Sequence, residues 1–278
     1  SSLLPLTSRI STRSSFSCRA KNSTIFRPLS SRLLVVSQRM NTPMDIAAWR
    51  KAYNGYQQHL LEDSLPTKDP FKLFDVWFRE VAVLKDEISY EEINAVSVST
   101  VSAEGRPSSR MVLLKSYDDK GFTFFTHYDS RKGTQMAANP NAALLFYWPR
   151  FHRQVRVEGV VERIPDEQAV AYWNSRPISS RIGGKSSAQS TVIPNREHLE
   201  RRKHELEKAV ASQGETAASK PPTWGGVLLR PRYFEFWQGQ SDRLHDRICF
   251  STEKPPADSA DFVRASDRPD WHVFRLSP

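Results

Sequence analysis

The sequence predicts a mainly β protein with flanking helices, an α+β chain whose strands close into a barrel. From Ala95 onward, apolar residues recur with period two in one short run after another. Helical spacing is confined to a few segments, and the strands do not alternate regularly with helices as βαβ units would.

Phe71–Leu84 carries apolar residues at Phe71, Phe74, Trp77, Phe78, Val81 and Leu84, a helical stripe, after a turn bracketed by Pro66 and Pro70. A polar helix is expected before it, over Asp45–Glu62. Strands are expected at Ala95–Val101, Arg110–Tyr117, Phe122–His127, Ala142–Trp148 and Arg153–Ile164, with turns at Glu104-Gly105 and Asp118–Gly121. Two helices, Asp166–Ser175 and Pro194–Ser212, then interrupt the strands, and 212–222 reads as a loop. Strands resume at Gly226–Leu229, Tyr233–Gln238, Asp246–Ser251 and Trp271–Leu276, with a polar loop insertion at 255–268.

The chain has 278 residues and a net charge of +9, unevenly spread. Arg9, Arg13, Arg19, Lys21, Arg27, Arg32 and Arg39 supply seven of those nine charges, and no acidic residue precedes Asp45. The two that remain on the rest of the chain weaken any case for a nucleic-acid binder, and no basic stripe with interleaved aromatics stands out. Residues 1–44, Arg- and Ser-rich, have the composition of an organelle transit peptide; 45–278 would form the functional domain. No apolar run reaches the roughly 18 residues of a membrane span. Cys18 and Cys249 have neither metal-type nor disulfide-framework spacing.

Arg243-Leu244-His245-Asp246-Arg247 is the most informative segment. If extended, it presents Arg243, His245 and Arg247 on one face, inside an apolar stretch, where clustered cations call for an anionic guest. Ser130 can cap a helix starting at Arg131-Lys132-Gly133, which makes a phosphate site of the helix start. Arg110 and Lys115 end an apolar strand on opposite faces, which suits two separate anions. Tyr172, Arg176 and Ser180 recur at four-residue spacing. Ile182-Gly183-Gly184-Lys185-Ser186 resembles a P-loop tail but has Ser179 where the first glycine belongs. No dinucleotide fingerprint and no metal-ligand spacing occurs.

With these motifs in order, the sequence resembles the pyridoxamine/pyridoxine 5′-phosphate oxidases from about Trp49 to Pro278. The matching segments are Arg110–Lys115, Ser130–Lys132, Arg153–Val157, Ser175–Pro177, Gln189-Ser190, Glu235–Gly239, Arg243–Arg247 and the closing Arg275–Pro278. The resemblance implies an FMN-binding split barrel and a homodimer with its active sites at the subunit interface. It implies FMN contacts from Arg110, Met111, Val112, Leu113, Leu114, Lys115, Phe125, Thr126, Arg131, Lys132, Gln154, Gln189, Ser190, Trp237 and Arg247. Substrate would meet Lys115, Tyr172, Arg176 and Ser180 at its phosphate, and Arg243, Leu244 and His245 at its ring. Arg50 and Tyr53 would cover it. The implied reaction moves a hydride from the substrate's 4′ carbon to the flavin; dioxygen then reoxidises the flavin, releasing hydrogen peroxide, and pyridoxal 5′-phosphate is the product. Arg243 and His245 are the expected catalytic pair.

A carrier or sensor of the same fold would need the phosphate grips but not Arg243 and His245. A different flavin oxidase would not need Tyr172, Arg176 and Ser180 together. The leader predicts mitochondrial import, the alternative being a cytoplasmic protein. Fused to a fluorescent reporter, residues 1–44 should carry it into mitochondria, and a reporter left in the cytosol would contradict the reading.

Overall fold

In the computed structural model the described residues are 59–83 and 92–278. The expected helix over 45–62 lies mostly outside them. Its described end is not α-helical, since His59–Leu61 is irregular and Glu62–Ser64 forms one 3₁₀ turn.

Ten strands form one antiparallel sheet among the described residues. They are β1 (Ala95–Val101), β2 (Pro107–Leu113), β3 (Ser116–Asp118), β4 (Gly121–His127), β5 (Asn141–Trp148), β6 (Arg153–Arg163), β7 (Trp224–Gln238), β8 (Asp246–Ser251), β9 (Arg264–Ala265) and β10 (His272–Arg275). The main order is β2-β1-β5-β6-β7-β8-β10-β9, and the sheet forks at β7. The first half of β7 pairs with β4, from Trp224 opposite His127 to Leu229 opposite Phe122. Its second half pairs with β8, from Tyr233 opposite Ser251 to Gln238 opposite Asp246. Just past β2, the Lys115 N–H donates to the Thr123 carbonyl at 2.9 Å, so the strand run reaches back to β4 and closes a split barrel.

Alternation fills the interior. Val96 and Val98 on β1, Leu144, Phe146 and Trp148 on β5, Val155 and Val157 on β6, and Phe234 and Phe236 on β7 are all buried. Helix α1 (Pro70–Ala82) packs Leu73, Phe74, Trp77 and Val81 against them. Asp69 caps it by accepting from the Phe71 N–H at 2.9 Å, and Pro70 takes the first position, where no N–H is needed. Phe74 meets Phe122 edge-on at 4.8 Å and Tyr117 edge-on at 5.0 Å. Burying such a ring stabilises the fold by about 1.5–3 kcal/mol.

Four further helices flank the sheet: α2 (Arg131–Ala138), α3 (Asp166–Ser175), α4 (Ile178–Ser186) and α5 (Arg196–Gln213). The charged α5 buries no residue, in keeping with a surface helix.

Several elements depart from the sequence reading. The strand expected over 110–117 breaks after Leu113 and resumes at Ser116. The two strands expected at 226–229 and 233–238 are one continuous strand. Pro231 cannot donate to the ladder, and a bulge absorbs it: Glu158 faces Tyr233 while Gly159 faces Pro231, which leaves Arg232 extra. Helix α4 occupies a stretch for which no element was expected. A Cβ on Gly184 would stand 3.2 Å from the Trp173 ring, so this glycine serves close helix packing. The 212–222 segment contains a 3₁₀ turn, Glu215–Ala218, tied down by Trp173 Nε1 donating to the Ala218 carbonyl at 2.9 Å. Lys185, for which the sequence suggested no role, donates to the Ala217 carbonyl at 2.8 Å. The 255–268 insertion holds a 3₁₀ turn, Ala257–Phe262, and β9.

Candidate active site

One cleft of about 470 Å³ collects side chains from six elements and the segments between them. It is lined by Met111, Val112 and Leu113 of β2, Lys115, Phe125 and Thr126 of β4, Lys132 of α2, Tyr172 of α3, Arg176, Pro177 and Ser180 at the α3–α4 junction, Gln189, and Trp224 of β7.

Its floor is aromatic. Phe125 stacks on Tyr172 at 4.0 Å and on Trp224 at 5.1 Å. Gly225 and Gly226 permit this. A Cβ on Gly225 would fall 2.1 Å from the Tyr128 hydroxyl, and one on Gly226 would press on Phe125 at 3.0 Å.

Its charge is positive. Lys132 is only 8% exposed, and its ammonium donates to Gln189 Oε1 at 2.8 Å and Thr126 Oγ1 at 3.2 Å, both neutral acceptors. Burial, with Arg110 nearby, pulls its pKa down. Arg176 lies over the Trp173 and Trp224 rings at 4.9 and 5.3 Å, donates from Nη2 to the Ser180 carbonyl at 3.1 Å, and leaves a buried Nη1 without a hydrogen-bond partner. Burial lowers its pKa as well. Among the described residues none of Arg110, Lys115, Arg131, Lys132 and Arg176 forms an ion pair. Buried cations without counter-charge are costly, and an anionic ligand removes that cost. Buried His127 stands near Lys132, Arg176 and Asp129; burial pushes its pKa down.

At the base of α2 the predicted cap is present, Ser130 Oγ accepting from the Gly133 N–H at 3.3 Å. Arg110 points away from Lys115. Its Nη1 donates to Thr100 Oγ1 at 2.7 Å and its Nη2 to Ser108 Oγ at 2.6 Å, beside Gln135. Arg131 is exposed next to it, close enough to depress its pKa together with burial. Leu114 is buried, and Ser190 sits beyond the cleft lining with φ 71°.

The 243–247 segment corrects the sequence reading. It is not one extended strand. Arg243 occupies a turn, with its N–H donating to the Gln240 carbonyl at 3.3 Å and φ 70°, and β8 begins only at Asp246. The three cations therefore do not share one strand face. His245 Nδ1 accepts from the Gln240 N–H at 3.0 Å, and its ring meets Trp237 at 5.0 Å. Gln154, Trp237 and Arg247 form one cross-strand row over β6, β7 and β8. None of these residues lines the cleft; Leu244 and His245 border a different cavity. Gly226, which faces Phe125, lies eleven residues before Trp237, roughly 36 Å of strand contour. The structure thus gathers the phosphate-type residues in one place and the ring-type residues in another. Arg50 and Tyr53 lie outside the described residues.

Trp224, which lines the cleft, and Gln135, beside Arg110, were missed by sequence reasoning. The paired glycines after Trp224, which let flat rings lie on the strand, are the signal that could have marked it.

Fold and cleft define a split-barrel protein with a cationic, aromatic ligand cleft. Residues 84–208 match the family model described as pyridoxamine 5′-phosphate oxidase, and 224–278 match the pyridoxine 5′-phosphate oxidase C-terminal dimerisation region. A Caenorhabditis elegans protein provisionally named pyridoxamine 5′-phosphate oxidase is 61% identical over 86% of this chain and all of its own. The pyridoxine-5′-phosphate oxidase of Bos taurus is 44% identical over 84% of this chain and 88% of its own. Among solved structures, PhzG from Burkholderia lata, in complex with tetrahydrophenazine-1-carboxylic acid, superposes with TM-score 0.63 at 26% identity, over 81% of this chain and all of that one. The chain belongs to the pyridoxamine 5′-phosphate oxidase family and is an oxidoreductase of that kind.

Because the buried Lys132 charge opposes folding until an anion joins it, Lys132→Met should raise the thermal midpoint of ligand-free protein. If FMN is the ligand, adding it should raise the midpoint of the wild type more than that of Lys132→Met. A lowered midpoint with FMN protection intact, read by differential scanning calorimetry, would contradict this.

Proposed function

We propose that this protein oxidises pyridoxamine 5′-phosphate and pyridoxine 5′-phosphate to pyridoxal 5′-phosphate, with FMN as cofactor and dioxygen as final acceptor. The observation that carries the reading is the pairing, in one aromatic cleft, of buried Lys132 and half-buried Arg176, neither of which meets a carboxylate among the described residues. Two phosphorylated aromatic ligands, cofactor and substrate, suit that inventory. The names of the oxidases from Bos taurus and Cupriavidus necator, the latter 47% identical over 76% of this chain, support the substrate class.

The residues fit a flavin mononucleotide. Lys132, Arg131 and Arg110 stand around the capped start of α2 and would hold its phosphate by charge-assisted bonds, with the Gln189 amide beside them. When bound, the flavin supplies the two-electron oxidation at the substrate's 4′ carbon. Arg176, with its open Nη1, would grip the substrate phosphate together with Tyr172, Ser180 and Lys115. Arg243 and His245 would orient the pyridine ring and balance charge there.

A single chain holds these two groups at opposite ends of β7, so we assign them to sites shared by two copies in a homodimer. The C-terminal dimerisation region supports a dimer. So does the outer sheet face, where Met111 on β2 and Leu145 and Tyr147 on β5, the strands either side of β1, are 62%, 37% and 57% exposed. Mitochondrial delivery by residues 1–44 belongs to the same proposal and is supported by their composition alone.

Protein purified without residues 1–44 should be yellow and, given pyridoxine 5′-phosphate in air, should form the aldehyde and hydrogen peroxide. Arg243→Ala and His245→Ala should each lower turnover about 10²-fold or more while the visible flavin spectrum is retained. A colourless protein that takes up no FMN would overturn the proposal, and full activity in both variants would overturn the ring-side assignment.

A further inference from the structure

Glu235 is a carboxylate where one is disfavoured, only 3% exposed in the middle of the sheet. It lies on β7, with Arg156 opposite it on β6, and two arginines reach it. Arg247, on β8, forms a fork: its Nε donates to Oε1 at 3.1 Å and its Nη2 to Oε2 at 3.0 Å. Arg156 Nη2 stands 3.1 Å from the same Oε2. Arg247 is also held from its other edge, where Nη1 donates to the Ser277 carbonyl at 2.8 Å, and the Arg247 carbonyl accepts from the Leu276 N–H at 3.0 Å. One cationic plane is therefore fixed along two edges before any ligand arrives.

We propose that Glu235 is the positioning residue for Arg247, setting the plane in which that guanidinium meets the cofactor. This rests on the reading of Arg247 as an FMN contact. An arginine has many rotamers, and a fork-to-fork contact with a buried carboxylate selects one of them in advance. Ligand binding then loses less side-chain freedom, which is the gain of preorganisation. Arg156 makes a single contact to the same carboxylate from the opposite flank and does not define the Arg247 plane. The two arginines thus separate positioning from simple strand-to-strand bracing.

The test compares holoproteins carrying Glu235→Gln, Glu235→Asp, Arg156→Met and Arg247→Ala. Flavin released on dilution is read by its fluorescence, alongside the thermal midpoint. Glu235→Gln and Arg247→Ala should weaken FMN binding at least about tenfold, the effect usual for partners behind metal-ligating side chains. Arg156→Met should lower the midpoint but leave the FMN Kd within about twofold, since the fork remains. Glu235→Asp keeps the charge and shifts the fork, so it should weaken binding even if Glu235→Gln does not fold. Normal FMN affinity in the Glu235 variants, with Arg247→Ala weakened, would overturn the positioning role. Normal affinity in Arg247→Ala would instead overturn the reading of Arg247 on which it rests.

Discussion

Positive charge left without a carboxylate partner is the constraint around which the cleft is arranged. Lys132 is buried and Arg176 half-buried among Phe125, Tyr172, Trp173 and Trp224, and among the described residues neutral oxygens are their only hydrogen-bond acceptors. Elsewhere the same chain pairs its buried charges: Arg153 with Glu80, Arg181 with Glu215, and Asp246 with Arg275. The contrast separates cations that support the fold from cations kept available for a ligand. On the proposed function, folding free energy is given up at these cations and recovered on binding.

The barrel serves that arrangement through one strand. β7 carries Trp224 into the cleft at its start and Trp237 beside His245 at its end, and its bulge lets it pair with β4 along one half and β8 along the other. Each half of the proposed chemistry is built on a rigid ladder, which suits preorganisation. The length of the same strand keeps the halves apart within one chain. On the proposed assignment a complete site requires a second copy, and the exposed apolar side chains of the outer sheet face offer a surface for it.

Much of this was legible in the sequence where a local rule and the tertiary structure agree. Alternation located β1, β5 and β6, because each has one face toward the core. The Ser130 cap and the α1 stripe were equally plain. The reading failed where a local signal had a long-range answer. Pro231 looked like a strand break because the bulge that absorbs it lies opposite Gly159, far away in sequence. Helix α4 went unassigned because the Trp173 ring that requires the small Gly184 belongs to another helix. Arg243 takes a positive φ without being glycine, and no residue-type signal announces that. The cleft residues could be named from motifs. Their separation from Arg243 and His245 could not, since it depends on the path of β7.

The most direct measurement mixes two inactive chains, one carrying Arg176→Ala and the other Arg243→Ala, unfolded and refolded together in equal amounts. If sites are shared between copies, half the dimers are mixed and each holds one intact site, so activity should return to about a quarter of wild type. A mixture as inactive as either variant alone, with mixed dimers shown to have formed, would contradict a site assembled from two copies.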